Sequence, residues 1–186
     1  MRYRKDELSA LDKIYVATAL LIKNKNYNDF NCSTIIASSG VSRSTFYSYF
    51  KNKDQVVMYI CDDIFNKIFT QSLTKEKNHD FNKDKADNLK AMLVKSFQCF
   101  LDEREIVLAI LNSNASSIFM SRLRKRLKPF ILAMVNKKII GNNPIPEEIK
   151  IHQYINGYTA LLQYYLRHGY ELSPEKITEY YFQFYK

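Results

Sequence analysis

Residues 31–53 read NCSTIIASSGVSRSTFYSYFKNK, and the fold turns on how this stretch is divided. Asn31 predicts a helix N-cap, because its side-chain oxygen can accept an orphan N–H of the first turn. That helix runs through Ile35 and Ile36 and stops before Gly40, whose tolerance of positive φ suits a sharp turn. Ser42 then caps a second helix, from Arg43 to about Phe50. Two short helices joined by a tight glycine-containing turn make a helix-turn-helix. Ile35, Ile36, Val41, Phe46 and Phe50 are the expected apolar pins, with Phe46 and Phe50 four apart on one face. The opposite face carries Arg43, Ser44, Tyr47 and Ser48. It is polar and rich in hydrogen-bonding groups, which suits the floor of a major groove. In that geometry the N-terminal residues of the second helix meet base edges. The same pattern also describes an ordinary helical hairpin in an all-α domain.

Working outward, residues 6–24 predict a helix with Leu8, Leu11, Ile14, Tyr15, Thr18, Leu21 and Ile22 on one face. Asn26 and Tyr27 end it. It braces the motif as the third wall of a small core. On the other side, Asn52 caps a further helix, with Gln55 three residues on in a near capping box. Lys53 falls in its first turn, where free N–H groups and the helix dipole favour an anion such as phosphate. The apolar face Val57, Ile60, Ile64, Phe65 and Ile68 carries this helix to about Leu73. One element therefore links the motif to the C-terminal part of the chain, which makes it the expected transmitter of any signal.

Residues 14–59 resemble the DNA-binding domain of the TetR family of transcriptional regulators. The matching residues are Ile35, Gly40, Val41, Ser42, Thr45, Tyr47, Tyr49, Phe50 and Lys53, within GVSRSTFYSYFKNKDQV. Two positions depart from the family pattern. Asn26 stands where a glycine usually follows the first helix, and it too tolerates the left-handed conformation. Ser33 stands where an arginine is frequent, so one base contact is missing. The resemblance implies an all-α protein of about nine helices. A DNA-binding domain over 1–53 leads through a connecting helix, about 53–73, to a helical effector-binding and dimerisation domain over 74–186. The DNA-contact set it implies is Ser33, Thr34, Ser42, Arg43, Ser44, Thr45, Tyr47, Ser48, Tyr49 and Lys53. Arg43 and Ser44 are the candidates for base edges; Thr45, Tyr47, Tyr49 and Lys53 hold phosphates. The expected partners are a palindromic double-stranded operator, a second copy of the chain through the last two helices, and a small-molecule effector. Phe97, Phe100, Phe119, Phe130 and Tyr164 are the candidates for the effector pocket, although the same residues also read as plain core.

Charge agrees with a nucleic-acid partner. The 186 residues carry a net charge of +9, and residues 1–53 hold nine Lys/Arg against four Asp/Glu. A basic excess of this kind supplies non-specific phosphate affinity and on-rate. The basic start MRYRK reads as a flexible arm or a disordered terminus. No signal peptide or membrane span is legible, and a cytoplasmic location is expected. Cys32, Cys61 and Cys99 lack metal spacing and suggest no disulfide framework.

Residues 74–85 read as a polar loop with His79 solvated in it. Helices come next over 86–101 and 103–113. Another spans 116–140, broken or bent near Pro129. In it Arg122, Arg124, Lys125, Arg126 and Lys128 form either a solvated face or an anion site. After the loop GNNPIP, a helix from Pro146 to about His168 carries the stripe Ile149, Ile155, Tyr158, Leu162 and Leu166. The last helix starts at Ser173-Pro174 with Ile177, Tyr180, Tyr181, Phe184 and Tyr185 as its apolar face. No phosphate loop, HExxH, CxxC or GxSxG occurs, so neither an enzyme nor a cofactor is expected. The function read from the residues and the resemblance is a sequence-specific transcriptional regulator. It is expected to be a ligand-responsive repressor, with an activator as the alternative. Two rival classes stand beside it: a ligand-binding or interaction module that no longer reads DNA, and a helical enzyme acting on an anion near Arg122–Lys128.

Overall fold

Hydrogen bonds within four residues set most of the helix boundaries. The computed structural model describes residues 8–71, 79–168 and 171–185, and these hold nine α-helices and no strand. They fall into two compact units, one built from residues 1–63 and 105–119, the other from 64–104 and 120–186.

In the first unit, α1 (Ala10–Asn24) opens with a capping box. Ser9 accepts from the backbone of Asp12, and Asp12 accepts in return from Ser9. Its buried face is Ile14, Ala17, Thr18, Leu21 and Ile22. Thr18, a polar residue on that face, donates to the carbonyl of Ile14 at 2.8 Å, so its burial leaves no unmet hydroxyl. A 3-10 turn, Tyr27–Asp29, connects α1 to α2 (Cys32–Ser39), and α3 (Arg43–Tyr49) and α4 (Lys53–Asn66) come after it. Asn26 does not adopt the left-handed conformation foreseen for it. It is extended at φ −62°, and its side chain accepts from Asn28 to start the 3-10 turn. An N-capping role needs the extended conformation, so the cap replaces the glycine-like turn. Both α2 and α3 pack on α1.

The second unit is built around α5 (Ala86–Asp102), which packs on α8 (Glu147–His168) and α9 (Pro174–Tyr185). The α6 helix (Arg104–Leu111) falls in the first unit but for its first residue, and α7 (Ser116–Asn136) starts in the first and continues in the second. The C-terminal part of α4 loosens into a π-helical stretch, Lys67–Gln71, that packs on α5. The α7 helix runs unbroken past Pro129, which is exposed within it.

Phe97 stacks on Tyr158 at 4.8 Å, and Tyr158 shares a 2.9 Å hydrogen bond with Ser96. Since Ser96 donates its one proton to the carbonyl of Leu93, Tyr158 is the donor in that pair. Burial pushes the Tyr158 phenol far above its ordinary range, so it stays a neutral donor. Gly157 lets the ring of Tyr185 approach α8: a Cβ there would lie 1.9 Å from the Tyr185 hydroxyl.

Three local expectations are corrected. Ile149, placed in the buried stripe of α8, is 58% exposed, and Phe184 on α9 is 72% exposed. His79 is not a solvated loop residue: Nε2 lies 2.6 Å from Asp84 Oδ2 and the ring meets Phe81 edge-on. A 3-10 turn, Phe81–Lys83, buries Phe81 against Phe130 and draws His79 in with it. Residues 74–78 of the expected loop, the basic arm 1–5 and Leu73 lie outside the described residues.

Candidate nucleic-acid interface

The site is made by two caps and a glycine. Asn31 Oδ1 accepts from the N–H of Thr34 at 3.1 Å and starts α2. Gly40 closes it at φ +69°, a left-handed conformation that costs a side-chain-bearing residue energy. Ser42 Oγ accepts from the N–H of Thr45 at 3.0 Å and starts α3. These three residues fix both ends of α2 and the start of α3 by local hydrogen bonds.

Phe46 fixes the rotation of α3. It is wholly buried, and Phe50 at the helix end is buried with it, their rings 6.0 Å apart. Ile35 of α2 is likewise inaccessible. With that face committed to the core, the other points outward. Arg43, Ser44, Ser48, Tyr47 and Tyr49 are exposed, Tyr47 at 44% and Tyr49 at 52%. The Arg43 guanidinium lies 5.9 Å from the centre of the Tyr47 ring and forms no ion pair among the described residues. Ser42, Ser44 and Thr45 pool their hydroxyls, with Ser42 Oγ 2.9 Å from Ser44 and 2.7 Å from Thr45. Ser48 donates to the carbonyl of Thr45 at 2.7 Å. On α2, Ser33 is exposed and Thr34 half-buried. Residues 30–53 contain no Asp or Glu and three Lys/Arg, so no carboxylate of this segment opposes a phosphate.

Lys53 differs from the rest of the set. Its ammonium donates to the carbonyls of Tyr27 and Phe30, at 2.7 and 3.0 Å. It also lies over both rings, 4.1 Å from the centre of Tyr27 and 5.3 Å from that of Phe30. Asp54, next in sequence, accepts from the Tyr27 hydroxyl. Burial, then this carboxylate, pushes the Tyr27 phenol far above its ordinary range.

The five residues considered for an effector pocket are divided. Phe97, Phe100, Phe119 and Phe130 are wholly buried, but Phe119 belongs to the first unit and the other three to the second. Tyr164 is 49% exposed, its ring 4.6 Å from that of His168. Its neighbour Tyr165 is the buried one. The Tyr165 ring meets Phe97 edge-on at 5.8 Å, and its hydroxyl is enclosed with no hydrogen-bond partner among the described residues. In the basic run of α7, Arg124, Lys125 and Lys128 are exposed, whereas Arg126 donates to Asn66 at 2.8 Å.

A capped pair of short helices, braced by a third and presenting an acid-free polar face, defines a helix-turn-helix DNA-binding protein. The chain belongs to the TetR family of transcriptional regulators. The model of the bacterial regulatory proteins, tetR family, matches residues 14–60, and that of a transcriptional regulator C-terminal region matches 87–186. No curated protein matches it. Among solved structures, a TetR transcriptional regulator from Streptococcus agalactiae is similar at TM-score 0.74 and 21% identity, over 94% of this chain and 92% of that one. A putative TetR-family regulator from Syntrophomonas wolfei is similar at 0.69 and 18%, over 94% and 92%. A SmeT–triclosan complex is similar at 0.65 and 14%, over 96% and 92%. At these identities the likeness is one of fold. No single helix among the described residues is long and apolar enough to cross a membrane.

Proposed function

We propose that this DNA-binding regulator is a ligand-responsive repressor that binds a palindromic operator as a homodimer. The observation that carries the reading is the outward face of α3, where Arg43 and Tyr47 stand exposed while Phe46 holds the helix from behind. Arg43 and Ser44, at the start of α3, read base edges, with Arg favouring guanine. Thr45, Tyr47 and Tyr49 hold phosphates and fix register, assisted by Ser33, Thr34, Ser42 and Ser48. Lys53, its ammonium already donating to two carbonyls, stands apart from that set.

Residues 1–53 serve as the DNA-binding domain and 74–186 as the effector-binding and dimerisation domain. Two observations support the second assignment. Ile149 and Tyr164 on α8 and Phe184 on α9 leave apolar and aromatic surface in water, as a subunit interface would. The enclosed Tyr165 hydroxyl lacks a partner among the described residues, and a polar group of a small molecule would supply one. A ligand that binds the non-DNA-binding state more tightly shifts the population away from DNA. Such a protein works in the cytoplasm.

In vitro selection from random duplex DNA tests the reading. A palindrome with half-sites one or more helical turns apart, ~34 Å per turn, is the expected product. Enrichment of no sequence would end it.

A further inference from the structure

We propose that Lys53 is a positioning residue: it clamps the turn 27–30 to the first turn of α4, and so sets how α2 and α3 meet DNA, without itself holding a phosphate. The proposal rests on the DNA-binding reading above and assigns a role within it.

The geometry is specific. Lys53 opens α4, and Tyr27 and Phe30 lie within the link between α1 and α2. Two of its three ammonium protons go to the carbonyls of Tyr27 and Phe30. The charge lies over the rings of those same residues, which meet edge to face at 5.5 Å. Asp54 holds the Tyr27 hydroxyl. One dipeptide of α4 therefore grips the turn by two carbonyls, two rings and a hydroxyl. Asn31, the cap that starts α2, is the very next residue after Phe30. The orientation of that cap thus depends on a contact 23 residues further along the chain.

Where the ammonium lies, only its third proton is left for another acceptor, and moving outward to a phosphate would weaken its hold on both carbonyls and both rings. The carbonyls of Tyr27 and Phe30 would lose a charged donor, the stronger kind of hydrogen bond. The segment has other cations for phosphates: Arg43 and Lys51 are exposed.

The test is Lys53→Met, which keeps the stem over the rings and removes the donors. Affinity is measured by anisotropy on the selected operator and on a scrambled duplex, across a salt series. The expected result is a loss on the operator of about tenfold or more, about 1.4 kcal/mol, a smaller loss on the scrambled duplex, and an unchanged salt slope. Equal losses on both duplexes, with the slope shallower by about 0.9, mark a phosphate contact and overturn the proposal. Tyr27→Phe supplies a second arm, milder for folding because it removes only the hydroxyl. It should lower the operator-to-scrambled ratio in the same direction, and less than additively with Lys53→Met. A wild-type ratio in Tyr27→Phe, or strict additivity, counts against the clamp. Should the wild-type chain select no duplex, the functional reading fails on its own. The clamp is then judged by amide exchange at residues 31–34 in Lys53→Met, where faster exchange supports it and unchanged exchange refutes it.

Discussion

Tyrosine is used in opposite ways on α3 and on the pair α8 and α9. On α3, Tyr47 and Tyr49 stand half in water beside a cation and a row of hydroxyls. On α8 and α9, Tyr158, Tyr165 and Tyr181 are wholly enclosed, and Tyr181 donates to the carbonyl of Tyr154 at 3.2 Å. The side chain is the same, so its chemistry does not choose the role. The choice belongs to the helix that carries it. The α3 helix is short and anchored by one wholly buried ring, that of Phe46. It has a full face left over for a partner. The α8 helix is much longer and commits Ile151, Tyr154, Ile155, Tyr158, Leu162, Tyr165 and Leu166 to the interior. A tyrosine on the first is an offered surface; on the second it is core with a hydroxyl to satisfy.

That contrast can be broken by mutation. The largest effect expected is on stability: Tyr181→Ala should cost about 3–5 kcal/mol in chemical denaturation, by loss of a fully buried aromatic. Tyr47→Ala should cost within about 0.5 kcal/mol on the same measurement, as an exposed substitution does, yet weaken DNA binding. If both changed stability alike, the two sets of tyrosines would not differ in kind. Next, Arg43→Ala should shift the preferred base in one position of each half-site, worth about 1–3 kcal/mol of discrimination, with the melting temperature held. Selection repeated on the variant reads this directly.

Smaller effects sharpen the contrast within each region. Gly157→Ala drives a methyl into the Tyr185 ring. The overpacking cost of about 1–3 kcal/mol is partly offset by the roughly 1 kcal/mol better helix propensity of alanine. A net loss of about 1 kcal/mol is expected, and on a Tyr185→Ala background the same substitution should cost nothing. Asn31→Ala removes a cap and should cost about 1 kcal/mol, with the DNA affinity falling further than the stability because α2 supports α3.

The motif was legible in advance because its determinants are local. The Asn31 and Ser42 caps close over three residues, and the left-handed glycine closes a helix whose carbonyl lies four residues back. Less was legible where helix phase mattered. The stripe through α8 placed Ile149 inside, and the structure leaves it exposed. Ile149 sits in the first turn of α8, where periodicity has no preceding turn to fix it. Pro129 predicts a break or a bend, since a proline deprives its helix of one hydrogen bond; α7 runs through it without a break, Pro129 being exposed.

Sequence alone determined the all-helical class, the ends of α2 and α3, and the polar face between Arg43 and Tyr49. Each of these comes from hydrogen bonds and side-chain spacing within about one helical turn, which any segment carries with it. Tertiary structure alone decided the partners of Lys53, the half-buried His79 and the enclosed hydroxyl of Tyr165. Those depend on groups brought together by the fold, and no local pattern encodes which residue comes to lie opposite.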